Sequence, residues 1–190
     1  MKFNNVPNRC FHIEEEEVWI SRSVTVLTVL VVVADGKSYV PLNLRGPDLP
    51  SEVGKWGLSG GYLDYGETLG EAVVREAWEE LGLDLLALRD EHRLIGSLDQ
   101  PSYVYSSPRG QRQNVTMHYP LLLFLNEEAE LPKLEPKVGP GEVTDVGWFP
   151  LEQALKMSLS FRHQDIIQQY LESRFREHGL REPGFREKGL

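Results

Sequence analysis

Glu76, Glu79 and Glu80 stand three and four residues apart in a stretch that reads as helix, so their side chains share one face. Carboxylates crowded on one face repel each other, and a counter-charge is needed to hold them. Oxygen-only donors select hard cations, which makes Mg²⁺, with Mn²⁺ as a substitute, the expected occupant. Spacing alone would equally suit a hydrated glutamate-rich helix. What separates the two readings is the company: Gly60 and Gly61 precede the helix, where backbone can approach a ligand closely and lend a carbonyl. Arg75 lies one turn before Glu79 and is placed to orient or neutralise it.

The elements that position these residues are legible around them. Thr68-x-x-Glu71 has the form of a capping box and Gly82 sits where a helix would stop, which predicts a helix over Leu69 to Leu81. Its buried stripe is then Val74, Ala77, Trp78 and Leu81. Upstream, Val24 to Val33 reads as a central strand, and Asp35-Gly36 as a hairpin turn into Ser38 to Leu44. Arg45 to Ser59 is punctuated by Gly46, Pro47, Pro50, Gly54 and Gly57 and reads as loop. Phe11 to Trp19 is expected as an edge strand with a solvated acidic run at Glu14 to Glu17.

Downstream, His92 to Leu98, Val115 to Leu125 and Val143 to Phe149 read as strands. The segment holding Pro101, Pro108 and Gly110 reads as a loop, as does the Pro- and Glu-rich run Asn126 to Pro140. Leu151 to Met157 and Phe161 to His178 carry helical periodicity, with Ser160 as N-cap and Gly179 as stop. The order of mixed strands, one central helix and terminal helices predicts an α/β sandwich around a mixed sheet. The 190 residues suit a single domain spanning 1–190, with the first 20 or so residues and 180–190 peripheral.

A net charge of −9 opposes general binding to nucleic acid, which relies on clustered Lys and Arg, yet allows an anionic small molecule if a divalent cation lies between. Cys10 is the only cysteine, so no intrachain disulfide forms, and the cytoplasm is the expected compartment. The apolar run Val24 to Ala34 is too short for a membrane-spanning helix, and the N-terminal residues lack a signal peptide's apolar core.

Gly61, Glu67, Arg75, Glu76, Ala77, Glu79, Glu80, Gly82 and Leu83 together fit G-x5-E-x7-R-E-U-x-E-E-x-G-U, where U is aliphatic. This resembles the Nudix box, the signature of the Nudix hydrolase superfamily, and the surroundings from Val24 to Ala154 look similar as well. Ser59 replaces the proline often found before the two glycines. The resemblance implies an α/β/α sandwich with a central mixed sheet and a Mg²⁺-dependent hydrolase of phosphoanhydride bonds. It implies that Glu76, Glu79 and Glu80 bind the metal with a carbonyl of Gly60 or Gly61, and that Glu67 braces the loop–helix junction beside the structural Gly82.

The family takes its general base from the box or from a downstream loop, so Glu79, Glu80 and Glu142 are candidates, with Glu127 and Glu128 further off. Trp56, Tyr62 and Tyr103 are candidates for stacking a nucleobase, beside Tyr105 and Phe161, and Arg45, Arg109 and Arg112 for contacting phosphate or ribose. Past the box, relatives acting on ADP-ribose tend to carry a proline and those acting on dinucleoside polyphosphates a tyrosine; here Pro101 and Tyr103 both occur. The leading expectation is a nucleoside diphosphate sugar or ADP-ribose as substrate. Nucleoside triphosphates, dinucleoside polyphosphates and a non-catalytic nucleotide sensor stand as alternatives. Homodimers are common in such relatives.

Overall fold

Valine, leucine and threonine dominate Val24–Ala34, and this β-branched run forms the strand on which the sheet is built. The structure, a computed structural model, describes residues 9–20, 24–109 and 112–175. The expectations for 180–190 and for the helix end at His178 and Gly179 lie outside those residues. In chain order the elements are β1 (Arg9–Ile13), β2 (Glu16–Ile20), β3 (Val24–Ala34), β4 (Lys37–Arg45), β5 (Trp56–Gly57), α1 (Leu69–Leu81) and α2 (Leu85–Glu91). There follow β6 (Arg93–Ile95), β7 (Tyr103–Arg109), β8 (Arg112–Phe124), β9 (Val143–Pro150), α3 (Leu151–Ala154) and α4 (His163–Tyr170).

The sheet is mixed. β3 runs parallel to β8 from Val24 opposite Val115 to Val33 opposite Phe124, and the other pairings are antiparallel. Asp35 and Gly36 both adopt positive φ (48° and 70°), the conformation a two-residue I′ turn requires, and they deliver β4 back onto the end of β3. The two strands then part, because β3 pairs with β4 only at Val32–Ala34 while β4 continues along β9 to Arg45. The gap is filled by one stretch of chain. Trp56 and Gly57 pair with β4, and a few residues on Tyr62 bridges Thr25, with Gly61 and Ser59 accepting the N–H groups of Val26 and Thr28 at 2.9 Å.

Alternation along β3 builds a core on each face. Val26, Leu30 and Val32 meet Ala72, Val73, Ala77 and Leu81 of α1 and Leu85 and Leu88 of α2. Leu27, Val29 and Val31 meet Leu151 and Ala154 of α3 and Ile167 and Tyr170 of α4. The result is the expected α/β/α sandwich, and each fully buried aliphatic side chain contributes roughly 1.5–3 kcal/mol to holding it. Helix α1 is bounded as its sequence predicts. Thr68 and Glu71 exchange both capping-box hydrogen bonds, and Gly82 closes the helix in the left-handed region at φ 74°.

Several elements depart from expectation. Phe11 to Trp19 falls in a two-stranded hairpin that turns at Glu14 (φ 58°) and pairs with no other strand among the described residues, because the acidic run that begins at Glu14 favours a solvated turn over a continuous edge. The expected loop around Pro108 is strand β7, which tolerates proline because among the described residues it pairs only with β8 and leaves its other edge unladdered. Pro120 sits where β8's outer partner changes from β7 to β6, so its missing N–H costs no ladder bond. Helix α2 has only seven residues, too few to show a period, and it is set by Asp84, whose Oδ1 accepts from Leu86 and Ala87 at 3.1 Å.

β6 is also shorter than the predicted His92 to Leu98, and the helix expected from Leu151 to Met157 ends at Ala154. Ser160 does not cap a helix; it begins a 3-10 turn over Ser160–Arg162, after which α4 starts at His163. Trp78 is only partly buried, with the Lys137 ammonium 5.3 Å from its ring centre, while Val73 takes the core position instead. Replacing Gly82 by alanine should cost at least about 1 kcal/mol in denaturant unfolding. The new Cβ meets the Glu135 backbone (carbonyl carbon at 2.9 Å) and the left-handed φ disfavours any Cβ.

Candidate active site

Where β3 and β4 part, the chain between them presents Gly60 to helix α1. Because Ser59 and Gly61 turn their carbonyls to β3, alternation turns the Gly60 N–H and C=O the other way. The Gly60 N–H donates to Glu80 Oε2 at 2.9 Å, and Asn43 Nδ2 donates to the same oxygen at 2.8 Å. Both glycines are required by close approach. A Cβ on Gly61 would stand 2.7 Å from the Glu76 carboxyl carbon, and one on Gly60 would stand 3.0 Å from the Leu27 Cα. Of the two carbonyls proposed for a metal, Gly61's is thus taken by Val26, while Gly60's accepts no hydrogen bond among the described residues.

Arg75 is 3% exposed and commits all five of its N–H donors. Nε and Nη2 grip the two Glu67 oxygens at 3.0 and 2.7 Å, Nη1 reaches Glu76 Oε1 at 2.6 Å and Glu79 Oε2 at 3.1 Å, and Nη2 also bonds the Tyr62 carbonyl at 2.8 Å. Asp64 adds a further charge 4.0 Å away, and its N–H donates to Glu67 Oε1 at 2.6 Å. Burial works against the Arg75 charge, but Glu67 and Glu76 outweigh it and hold the guanidinium protonated. Arg75 therefore organises the acids. It has no donor left over: all five go to Glu67, Glu76, Glu79 and the Tyr62 carbonyl.

Glu76 and Glu80 are buried, whereas Glu79 is partly open to solvent. Burial pushes the Glu76 carboxyl up to about 7 against the pull of Arg75, with Glu79 and Glu142 adding repulsion. Burial likewise pushes Glu80 well above the carboxylate range, aided by the charge of Glu76 and opposed by the Gly60 N–H and by Ser59. Both carboxyls are raised first by burial and further by the charges of their acidic neighbours, so a cation placed beside them would favour their ionised forms. Among the described residues no group of three or more His, Cys, Asp or Glu side chains is arranged to hold a metal ion as it stands, and Arg75 occupies one oxygen each of Glu76 and Glu79.

The remaining candidates divide. Glu142 is exposed on the loop after Gly139, and its charge acts on Glu76, Glu80 and Arg45. Its backbone is anchored where Gly46 N–H donates to its carbonyl at 2.8 Å. Arg45 joins the same group from the end of β4. Tyr62 contributes its carbonyl to Arg75, while Trp56 packs edge-on against Phe149 at 4.8 Å in the core under α4. Tyr103 lies on β7 opposite His118, itself opposite Leu27, on the α4 face. Three strand spacings, about 14 Å, separate it from Gly60. Glu127 and Glu128 follow the end of β8, at the far end of the sheet from Gly60. The Arg109 and Arg112 side chains lie outside the described residues.

Asn43 and His163 belong to this site and were not singled out in the sequence. Asn43 is the one amide in an otherwise apolar stretch of β4, a polar residue where strand propensity disfavours it, and that was the available signal. His163 accepts the Leu58 N–H on Nδ1 at 3.0 Å and is held neutral, pushed down to about 3 chiefly by burial, so it ties α4 to the glycine segment. No sequence pattern marks it.

With this geometry the family follows. Residues 24–170 match the NUDIX domain model, so the chain belongs to the Nudix family, and it is a pyrophosphohydrolase. It is similar to an RNA pyrophosphohydrolase of Azorhizobium caulinodans, 26% identical over 68% of this chain and 79% of the relative. It is also similar to the NAD-capped RNA hydrolase NudC of Chromobacterium violaceum, 30% identical over 60% of this chain but 36% of that protein, so it spans about a third of the latter. Among solved structures, the NUDIX domain of Shewanella oneidensis NrtR complexed with ADP ribose superposes with a TM-score of 0.56 at 25% identity, covering 80% of this chain and 88% of the other. No helix among the described residues is long and apolar enough to cross a membrane.

Exchanging Arg75 for methionine keeps bulk but strands the acids. Unfolding at neutral pH should show a loss of about 3–5 kcal/mol. The deficit should shrink as the medium is acidified, because Glu76 and its neighbours then take up protons instead of remaining as unpaired anions.

Proposed function

We propose that this enzyme hydrolyses the pyrophosphate bond of a nucleoside diphosphate linked to a second group, a nucleoside diphosphate sugar or ADP-ribose, with Mg²⁺ as cofactor and Mn²⁺ able to replace it. The observation that carries the reading is the pair of buried carboxyls, Glu76 and Glu80, held above their ordinary range beside an arginine already fully engaged. A cation beside such a pair would let both carboxyls ionise. The donor set fits the group: hard oxygens from Glu76, Glu79 and Glu80, the turned-out Gly60 carbonyl, and the space left by Gly61 for the Glu76 carboxylate. When bound, Mg²⁺ screens the diphosphate and lowers the pKa of a coordinated water.

The chain's own residues supply the rest. Asn43 and the Gly60 N–H fix Glu80, and Arg75 fixes Glu67, Glu76 and Glu79, so the acids meet the substrate without reorganising. Water adds to one phosphorus, the bridging oxygen leaves on the other phosphate, and the proton passes to an accessible carboxylate. Glu142 and Glu79 are the accessible ones beside the buried pair. The complex of the NrtR domain with ADP ribose supports the substrate class. Both curated relatives support a second reading, the pyrophosphate at an RNA 5′ end, although a net charge of −9 leaves little electrostatic attraction for the RNA backbone.

Incubation with ADP-ribose, a nucleotide sugar and 5′-triphosphate RNA in Mg²⁺, followed by product chromatography, tests the assignment. Paired mononucleotide and sugar phosphate are expected, and release from RNA alone would replace it with the second reading. Glu80→Gln should lower turnover about a hundredfold or more while leaving the fold intact. Stability should report the raised carboxyls too. A carboxyl raised in the folded state stabilises while protonated, and that contribution is lost as pH rises through its folded pKa. For Glu76 that loss runs from about pH 4.5 to about pH 7, a range in which the lowered histidines His118 and His163 act in the opposite sense. Between those pH values in EDTA the wild-type unfolding midpoint should therefore lose ground to that of Glu76→Gln, in which the histidines are the same, and Mg²⁺ should remove the loss.

A further inference from the structure

Near the buried acids one cation keeps donors in reserve. Arg45, at the end of β4, gives Nε and Nη2 to the Ser51 carbonyl at 3.2 and 3.1 Å, and its Nη1 has no partner among the described residues. Arg45 stands two residues beyond Asn43, whose amide bonds Glu80 at 2.8 Å, and next to Gly46, whose N–H bonds the Glu142 carbonyl at 2.8 Å. Burial pulls the Arg45 pKa down, while the charges of Glu80, Glu52 and Glu142 oppose this. The guanidinium lies 5.0 Å from the centre of the Phe161 ring.

The backbone under that ring is unusual. Phe161 and Arg162 both take left-handed conformations, at φ 51° and 59°, and Glu52 does so at φ 57°. A bulky aromatic there is disfavoured and persists only where its surroundings over-determine it, a pattern that gathers at functional sites. Three contacts do so here. The Glu52 carboxylate accepts the Phe161 N–H and the Lys55 ammonium, the latter at 2.7 Å, and the ring leans on His163 at 5.8 Å. Phe161 nonetheless remains 37% exposed, so core packing does not account for its placement.

We infer that Arg45, seated on Phe161, grips the diphosphate of the substrate, and that the left-handed Phe161–Arg162 step holds this seat beside the carboxylates. A planar guanidinium with donors in reserve matches paired phosphate oxygens, and Arg75, with none in reserve, leaves that task to Arg45. The inference rests on the diphosphate reading above and names the residue pair that recognises the substrate class.

The test is calorimetric titration of the full chain with methylenediphosphonate, a diphosphate that cannot be hydrolysed, in Mg²⁺. Arg45→Ala should weaken binding about tenfold or more, since a hydrogen-bonded charge is lost, and Arg45→Lys should recover only part of it. Phe161→Gly relieves the left-handed strain while removing the ring, so its unfolding midpoint should hold or rise while binding weakens. Wild-type affinity in Arg45→Ala, or a fall in the Phe161→Gly midpoint with binding unchanged, overturns the inference. Failure of the wild type to bind the probe overturns it as well. Hydrolysis of nucleotides by the wild type is scored separately: turnover with Arg45-independent binding sinks the inference alone, and Arg45-dependent binding without turnover sinks only the hydrolase assignment.

Discussion

A guanidinium with five engaged donors and almost no surface in water is the fixed point of this molecule. Arg75 converts a helix face that would repel itself into an ordered set of acids, because each of Glu67, Glu76 and Glu79 is tied to one planar fork. The same fork reaches the Tyr62 carbonyl and so joins α1 to the segment that fills the split between β3 and β4. Fold and site depend on one group. The sheet must split for Gly60 to turn inward, and α1 must lie over the split for Glu80 to meet it.

The arrangement leaves an electrostatic remainder. Arg75 answers part of the negative charge, yet Glu76 and Glu80 still lie buried with raised affinity for protons. A site in which protonation relieves strain is one in which a divalent ion can do the same at neutral pH, and with a larger charge. Glu142, on the loop after Gly139, and Arg45, at the end of β4, border this remainder, and Gly46 joins the two backbones by donating to the Glu142 carbonyl.

Much of this was legible in the sequence because the signals were local. The capping box at Thr68, the stop at Gly82, the Asp35-Gly36 turn and the spacing of the box acids each depend on neighbours a few residues away, and each appears where predicted. What escaped depends on tertiary context. Strand β7 is a strand because β8 offers it an edge where Pro108 is tolerated, and α2 exists through one aspartate cap. Asn43 acquires its role only when β4 brings it to Glu80, 37 residues on, and His163 only when α4 reaches Leu58, 105 residues back. Conversely, Tyr103 looked poised for a ligand by its place past the box, yet pleating puts it on the α4 face beside His118.

The central claim is that the acid set organised by Arg75 completes itself with a hard divalent cation. Anomalous diffraction from crystals soaked in Mn²⁺ tests it most directly. A manganese peak bounded by Glu76, Glu79, Glu80 and the Gly60 carbonyl, with the Arg75–Glu67 fork intact, is the predicted result. Clear density for those side chains with no anomalous signal beside them, in crystals that also contain a bound nucleotide diphosphate, would contradict it.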